Sequence, residues 1–195
     1  MDWEALYQQK DTGWDRGAVS PALKHWFEDG NITPNQRILI PGCGRGYEVV
    51  ALAKRGFDVT ALDLAPSAIA AVRQALHDAN VSATLVCSDL FDYQPKHSFD
   101  IVYEQTCLCA LPVEQREHYE QCLYTWLKPN GTLLFSMMQT GAAGGPPFHC
   151  DWLDMHELFA EKRWQWQQEP PFIISRPNGL RFELGFTLRC QKGGL

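Results

Sequence analysis

"RILIPGCGRGYEVVALAKRGFDVTALD", residues 37–63, reads as a strand, a glycine turn, a helix and a second strand ending in an acid. Many nucleotide-binding folds share that layout, so the spacing inside the turn decides which ligand it fits. Gly42, Gly44 and Gly46 form G-x-G-x-G. Glycine is needed where the backbone must take φ > 0 or where a ligand lies against it. The dinucleotide fingerprint is G-x-G-x-x-G, with a pyrophosphate at the helix N-terminus. Here the place of its third glycine holds Tyr47, and Arg45 sits inside the turn. S-adenosylmethionine (SAM) has no phosphate, so its loop only has to pass close to the amino-acid and ribose parts, and the shorter spacing favours it. A tight βα turn that holds no ligand is the competing reading of this stretch alone. Asp63 ends the second strand, where a carboxylate can accept both ribose hydroxyls. NAD sites place an acid there too. Its structural alternative is a helix cap before "APSAIAAV", a role for which Ser67 competes.

Working outward, apolar runs at about 37–41, 57–63, 82–87, 98–104 and 131–138 read as strands, and helical segments at about 46–55, 66–78 and 114–126 separate most of them. That alternation implies βαβ units and a parallel sheet buried on both faces. "SPALKHWFEDG" (20–30) predicts a short helix capped by Ser20, with Pro21 in its first turn and Gly30 at its end. The rhythm breaks after a helix at about 151–161. Two strand-like segments, near 163–169 and 181–190, are joined through "PPFIISRPNGL", in which "PNG" is a turn signal. A parallel sheet finished by an antiparallel pair belongs to the methyltransferase variant of this layout rather than to a plain dinucleotide fold. No repeat or composition break divides the chain, which predicts a single domain over 1–195.

Bulk properties narrow the function classes. The chain has 195 residues, 45% hydrophobic and 21% charged, the ordinary globular range. A formal charge of −6 and a pI near 5.5, with no block of Lys or Arg, argue against a nucleic-acid partner. The polar, acidic N-terminus "MDWEALYQQKDTGWDRG" is unlike a signal peptide, and no apolar run approaches transmembrane length, so a cytoplasmic location away from membranes is expected. The seven cysteines are odd in number and scattered, as reduced thiols are. Cys107 and Cys109 could be imagined as metal ligands with Cys122, Cys150 or His149, but no C-x-x-C pair or H-x₃-H spacing exists. Buried structural thiols and no metal are expected. "WQW" (164–166) reads as core, and "HCDWLDMHELF", with His149 and His156, as a capped surface helix.

The third strand ends in "CSDLF" (87–91). An Asp there, followed by apolar side chains, can bond an adenine amino group while Leu90 and Phe91 flank the ring. The alternative is a solvated loop Asp. Glycine turn, Asp63 and Asp89, in that order, together favour SAM.

With these residues in place the chain resembles the thiopurine S-methyltransferase family, including its thiol and halide methyltransferase relatives. The resemblance rests on "GWDRGAVSPAL" (13–23), "ILIPGCGRGYEVVALAKRGFDVTALDLAPSAI" (38–69), "SDLFDY" (88–93), "FDIVYEQTCLCAL" (99–111), "LKPNGTLLFSM" (127–137) and "GGPPF" (144–148). Ile40 stands where a general SAM enzyme usually carries an acid, and Pro41 marks the subgroup. The resemblance implies an α/β, Rossmann-like class I methyltransferase fold, with a mainly parallel seven-stranded sheet and an antiparallel C-terminal strand pair. It implies that Trp14 lies over the cofactor from an N-terminal arm (1–30), and that Gly42 and Gly44 line the methionine portion. Asp63 is expected at the ribose and Asp89, Leu90 and Phe91 at the adenine, with Cys43 and Leu64 completing the cofactor set. Glu104 stands where family members hold cofactor or substrate, and Arg116 matches an arginine thought to contact substrate.

Methyl transfer from a sulfonium is an in-line displacement, in which the enzyme mainly aligns the groups and excludes water. A thiol or halide acceptor is already soft, so no catalytic triad is expected, and nothing in the chain resembles a nucleophile elbow. Trp14 and Tyr47 are candidates for cation–π contact with the sulfonium, with ordinary packing as the alternative for Tyr47. "GAAGGPPF" (141–148) is expected to help cover the substrate. The leading expectation is therefore a SAM-dependent S-methyltransferase acting on a small molecule, releasing S-adenosylhomocysteine and working as a monomer. An NAD-dependent oxidoreductase and a non-catalytic SAM-binding module are the alternatives. Nucleic-acid methylation is disfavoured by charge and by "EQTC", which follows the fourth strand where a Pro-Pro-aromatic motif would be needed. Thiopurine, sulfide, thiocyanate, halide and metalloid acceptors all stay open.

Overall fold

The computed structural model describes residues 1–176 and 182–193. The "PNG" turn signal at 177–179 therefore lies outside the described residues. Five strands run parallel: β1 (Arg37–Pro41), β2 (Asp58–Asp63), β3 (Thr84–Cys87), β4 (Phe99–Gln105) and β5 (Leu127–Gln139). Three follow at the C-terminal end: β6 (Trp164–Trp166), β7 (Phe172–Ser175) and β8 (Phe182–Cys190). The order is β3-β2-β1-β4-β5-β8-β6, with β7 also paired to β8. β8 is antiparallel to β5, β6 and β7.

The expected seven strands are thus the main path, and β7 is an eighth, in the stretch whose sequence reads as a connection. Its Phe-Ile-Ile run suits a strand. β5 occupies one edge of β8, so β6 and β7 lie end to end along the other, opposite Leu188–Cys190 and Phe182–Gly185. At the β7 crossing Gly185 faces Phe172. A Cβ on Gly185 would stand 2.2 Å from that ring, so only glycine lets the aromatic lie across the strand. β5 begins earlier than its regular run because its pairing with β4 jumps from Phe99↔Leu127 to Ile101↔Thr132, looping out a turn that contains Asn130 at φ 60.

Helices cover both faces of the sheet. α2 (Pro21–Glu28), α3 (Tyr47–Ala53) and α4 (Pro66–Asp78) pack Trp26, Val49, Leu52 and Val72 against Ile38, Val59, Ile101 and Leu134. α5 (Arg116–Trp126) and α6 (Trp152–Leu158) pack Tyr119, Leu123, Trp126 and Met155 against Leu39, Val102, Leu133 and Phe186. Each such side chain, moved fully out of water, contributes about 1.5–3 kcal/mol. Ser20 caps α2 as expected, its Oγ accepting from the Ala22 N–H, and Asp151 caps α6. All seven cysteines are free thiols, five of them buried.

The N-terminal segment holds a helix that the sequence reading lacks, α1 (Trp3–Gln9), capped by Asp2. None of its residues is buried, and its apolar stripe, Trp3, Leu6 and Tyr7, spans only two turns, a weak signal in the sequence. It lies on α4, where Glu4 accepts from the Ser67 N–H (2.9 Å) and hydroxyl (2.6 Å). Ser67 is therefore not the cap of α4: Ala65 holds that position without a side-chain bond, and Glu4 serves the N-terminus from outside.

Beyond α1 the chain is anchored to the C-terminal strands. Arg16 donates to the Ser175 carbonyl (3.0 and 2.9 Å) and to Glu183 (3.1 Å). Arg176 donates to the same Glu183 oxygen (2.8 Å) and to the Trp14 carbonyl (2.7 Å). The side chain of Glu183 is fully buried and those of both arginines are 9% exposed. Removing one member of a buried pair leaves the others uncompensated. Glu183→Ala is expected to destabilise the fold by about 3–5 kcal/mol in urea denaturation. An unchanged midpoint would show that the two guanidinium groups do not depend on this carboxylate.

Candidate active site

The strand order reverses between β1 and β4, and ligands of open α/β sheets bind at the carboxyl ends of the strands beside such a switch. The glycine turn leaves β1 there. Gly42, Gly44 and Gly46 all have positive φ (59, 54 and 75), and each meets a different neighbour. A Cβ at Gly42 would stand 2.8 Å from Cys107 Sγ, and one at Gly46 2.7 Å from a Val72 methyl. Gly42 thus lets the turn pass the segment after β4, and Gly46 lets α3 start against α4. A Cβ at Gly44 would stand 3.2 Å from the Tyr7 hydroxyl of the N-terminal segment.

Asp63 braces this turn. One carboxylate oxygen accepts from the Gly44 N–H and the other from the Ala65 N–H, both at 2.9 Å. Burial raises its pKa, against the pull of those bonds. Neither cap reading holds literally, since Asp63 ties strand, turn and helix start together. The neighbouring strand end is drawn in by Ser88 N–H, which donates to the Asp63 carbonyl at 3.1 Å. Asp89 turns its carboxylate to the Phe91 N–H (2.9 Å). Phe91 stacks on His118 at 4.5 Å and 17°, while Leu90 and Phe91 pack against the core of that face. Leu64, directly after Asp63, is 48% exposed despite being apolar.

In front of the turn lies a recess open to solvent. Gly42 and Cys43 form part of its wall, with Tyr7, Trp14 and Asp15 from the N-terminal segment and Gln105 from the end of β4. Trp14 meets Trp3 edge to face at 5.3 Å and Tyr7 at 5.6 Å. Arg45 places its Nε 2.6 Å from Asp15, and the Tyr47 hydroxyl donates to the same carboxylate at 3.4 Å. Of the expected residues, Trp14, Gly42 and Cys43 share this recess. Asp63 stands behind its turn, and Leu64, Asp89, Leu90 and Phe91 lie on the adjoining strand ends.

Glu104 and Arg116 are placed differently. Glu104 is fully buried, with one oxygen accepting from the Leu108 N–H (2.7 Å) and the other without a partner among the described residues. Burial pushes its pKa up to about 8, with the Leu108 and Cys107 N–H groups and then Arg116 pulling the other way. Arg116 is also buried. It donates to the His149 carbonyl (3.2 Å) and borders a cleft between α5 and α6 rather than the recess. The 141–148 loop adds no wall to the recess; Phe148 N–H donates to the Cys109 carbonyl (2.7 Å). The sequence reading missed Trp3, Glu4, Tyr7, Asp15 and Arg45. Trp3 and Tyr7 stand four residues apart, the spacing that puts two rings on one helix face, which was the available signal.

A model of the thiopurine S-methyltransferase family matches residues 1–170. Thiocyanate methyltransferase 1 of Arabidopsis thaliana is 32% identical over 152 residues, 76% of this chain and 66% of that one, just under two thirds of the plant protein's length. A thiopurine S-methyltransferase of Xanthomonas euvesicatoria pv. vesicatoria (strain 85-10) is 29% identical over 184 residues, 85% of this chain and 84% of that one. Among solved structures, Burkholderia thailandensis 1,6-didemethyltoxoflavin-N1-methyltransferase, with bound S-adenosylhomocysteine, superposes with a TM-score of 0.78. It covers 98% of this chain and 86% of that one at 18% identity, a likeness of fold.

The buried Glu104 carboxyl gives stability a pH dependence. Below its ordinary value of 4.5 it is protonated folded or unfolded; between 4.5 and about 8 only the folded chain keeps the proton. Folded stability therefore falls as pH rises through that window, by at most about 1.4 kcal/mol per unit. Compared with Glu104→Gln, the unmodified protein is expected to lose stability steadily between about pH 5 and about pH 8 in chemical denaturation. A constant difference across that range would mean that Glu104 is ionised in the fold.

Proposed function

The chain belongs to the thiopurine S-methyltransferase family, and on that premise we propose that it methylates a small soft nucleophile, a thiol foremost, at the expense of SAM. The observation that carries this reading is one meeting point at the strand ends. The glycine turn and an aromatic arm converge there on the recess, and the Asp63 carboxylate braces the turn from behind. The residues fit the cofactor. Asp63 keeps lone pairs for ribose hydroxyls beyond its two backbone bonds. Leu64 offers exposed apolar surface beside it, and Leu90 and Phe91 stand on the neighbouring strand end for an adenine ring. Trp3, Tyr7 and Trp14 bring aromatic rings to the arm, an environment favourable to a cation.

SAM, when bound, supplies a methyl group on a positively charged sulfur. The chain's own contribution is to align and to exclude water. The arm, residues 1–30, acts as the cover: α1 is bonded to α4 by Glu4 and Arg16 is bonded to β8. Gln105, at the end of β4, borders the recess where an acceptor would approach. Glu104, beneath it, shapes the turn through its bond to Leu108 N–H and holds a proton near neutral pH. Arg116 acts indirectly, by holding the segment at His149. A single-domain monomer, a cytoplasmic location and chemistry without a metal belong to the same proposal.

An acceptor screen that reads S-adenosylhomocysteine release, run over thiols, sulfide, thiocyanate, halides and metalloid oxyanions, tests the activity. Tight SAM binding with no turnover on any acceptor would leave a binding module. Asp63→Ala is expected to weaken S-adenosylhomocysteine binding by about 10- to 100-fold in calorimetry, the scale of a lost charged hydrogen bond. Normal affinity in that variant would overturn the ribose assignment.

A further inference from the structure

The Asp15–Arg45 pair stands in the wall of the recess without a part in the chemistry above. Arg45 projects from the glycine turn and Asp15 from the arm, with side chains 37% and 17% exposed. Asp15 is oriented from two sides, by the Gly17 N–H (2.8 Å) and by the Tyr47 hydroxyl (3.4 Å), yet its oxygens keep further lone pairs. The Arg45 guanidinium lies 5.9 Å from the Tyr7 ring. Its terminal nitrogens have no hydrogen-bond partner among the described residues, since the contact to Asp15 is through Nε. Two other arginines border the recess, Arg16 and Arg176. Both direct their terminal nitrogens at Glu183 and at the Ser175 and Trp14 carbonyls. Arg45 is thus the guanidinium with open terminal donors in this wall, among the described residues. An ion pair with its arginine this exposed adds little to folding stability, which leaves the open Arg45 donors free to serve a ligand.

Resting on the reading of the recess as a SAM site, we propose that Asp15 and Arg45 receive the amino-acid end of the cofactor, Arg45 its α-carboxylate and Asp15 its α-ammonium. An α-amino acid is a fixed pair of opposite charges, and this ion pair presents the complementary charges side by side. Guanidinium suits a carboxylate because its planar fork can donate two parallel bonds. Asp15 offers acceptor oxygens to the three N–H groups of an ammonium. The assignment gives Asp15, in the "GWDRG" stretch, a role beside Trp14. It also explains a cation inside the glycine turn: this ligand brings a carboxylate to the place where a dinucleotide brings a pyrophosphate. Because one charge sits on the turn and the other on the arm, a bound amino-acid end joins the two.

Calorimetric titration of the whole chain with three ligands tests this. S-adenosylhomocysteine carries both charges, its decarboxylated analogue only the ammonium, and 5′-methylthioadenosine neither. Arg45→Gln is expected to weaken S-adenosylhomocysteine by about 10- to 100-fold and to leave the other two within about twofold. Arg45→Lys recovers part of the loss. Asp15→Asn weakens S-adenosylhomocysteine and the decarboxylated analogue but spares 5′-methylthioadenosine. Equal losses on all three ligands would mean that the pair only holds the arm, and no loss on any would mean that it does not touch the cofactor. Either result overturns the inference while the SAM reading stands. An unmodified protein that binds none of the three overturns the SAM reading, and the inference with it.

Discussion

A buried carboxylate at the end of β2 sets the geometry on which the site depends. Asp63 holds the Gly44 N–H of the glycine turn with one oxygen and the Ala65 N–H before α4 with the other. Without it, two backbone donors would lose their partners, each at a cost of about 1–3 kcal/mol where buried. The turn so placed lets α3 begin at Gly46, against Val72 of α4. α4 in turn receives α1 through Ser67 and Glu4. The placement of α1 beside the recess thus runs, bond by bond, back to one carboxylate.

The arm has a second anchor, and it lies in the C-terminal strands. Glu183 of β8 takes Arg16 from the arm and Arg176 from the end of β7. The antiparallel segment therefore does more than close a sheet edge, because it fixes where Trp14 stands through the Arg176 bond to its carbonyl. Between the two anchors the chain presents Asp15 and Trp14 to the glycine turn. A recess assembled from both ends of the chain in this way suits a ligand that must be enclosed while it reacts.

What could be read before folding followed the strength of each local signal. β1, β2 and α4 stand where their apolar runs and turns put them, because a parallel strand buried on both faces must be apolar throughout. α1 gave only a weak signal, the spacing of Trp3, Leu6 and Tyr7, since it buries no residue and its helix is held by Asp2 and by a partner 63 positions away. β7 was hidden because a four-residue strand inside a proline-flanked stretch reads equally well as a connection. The roles of Glu104 and Arg116 were open in the sequence for another reason. A residue's number says that it follows a strand, but not which face of the sheet its side chain enters.

The sequence by itself determined the parallel α/β frame, the glycine turn, the acid ending β2 and the one after β3, and membership of a family of SAM enzymes. Those follow from periodicity and from residue types at fixed short spacing, which are local properties of the chain. Only the tertiary structure decided that Asp63, expected at the ribose or as a helix cap, braces the glycine turn, and that Arg116 borders a different cleft from Trp14. It alone brought Asp15 of the arm to Arg45 of the turn, 30 residues apart, at 2.6 Å. Such contacts arise from the packing of elements distant in sequence, and no spacing along the chain encodes them.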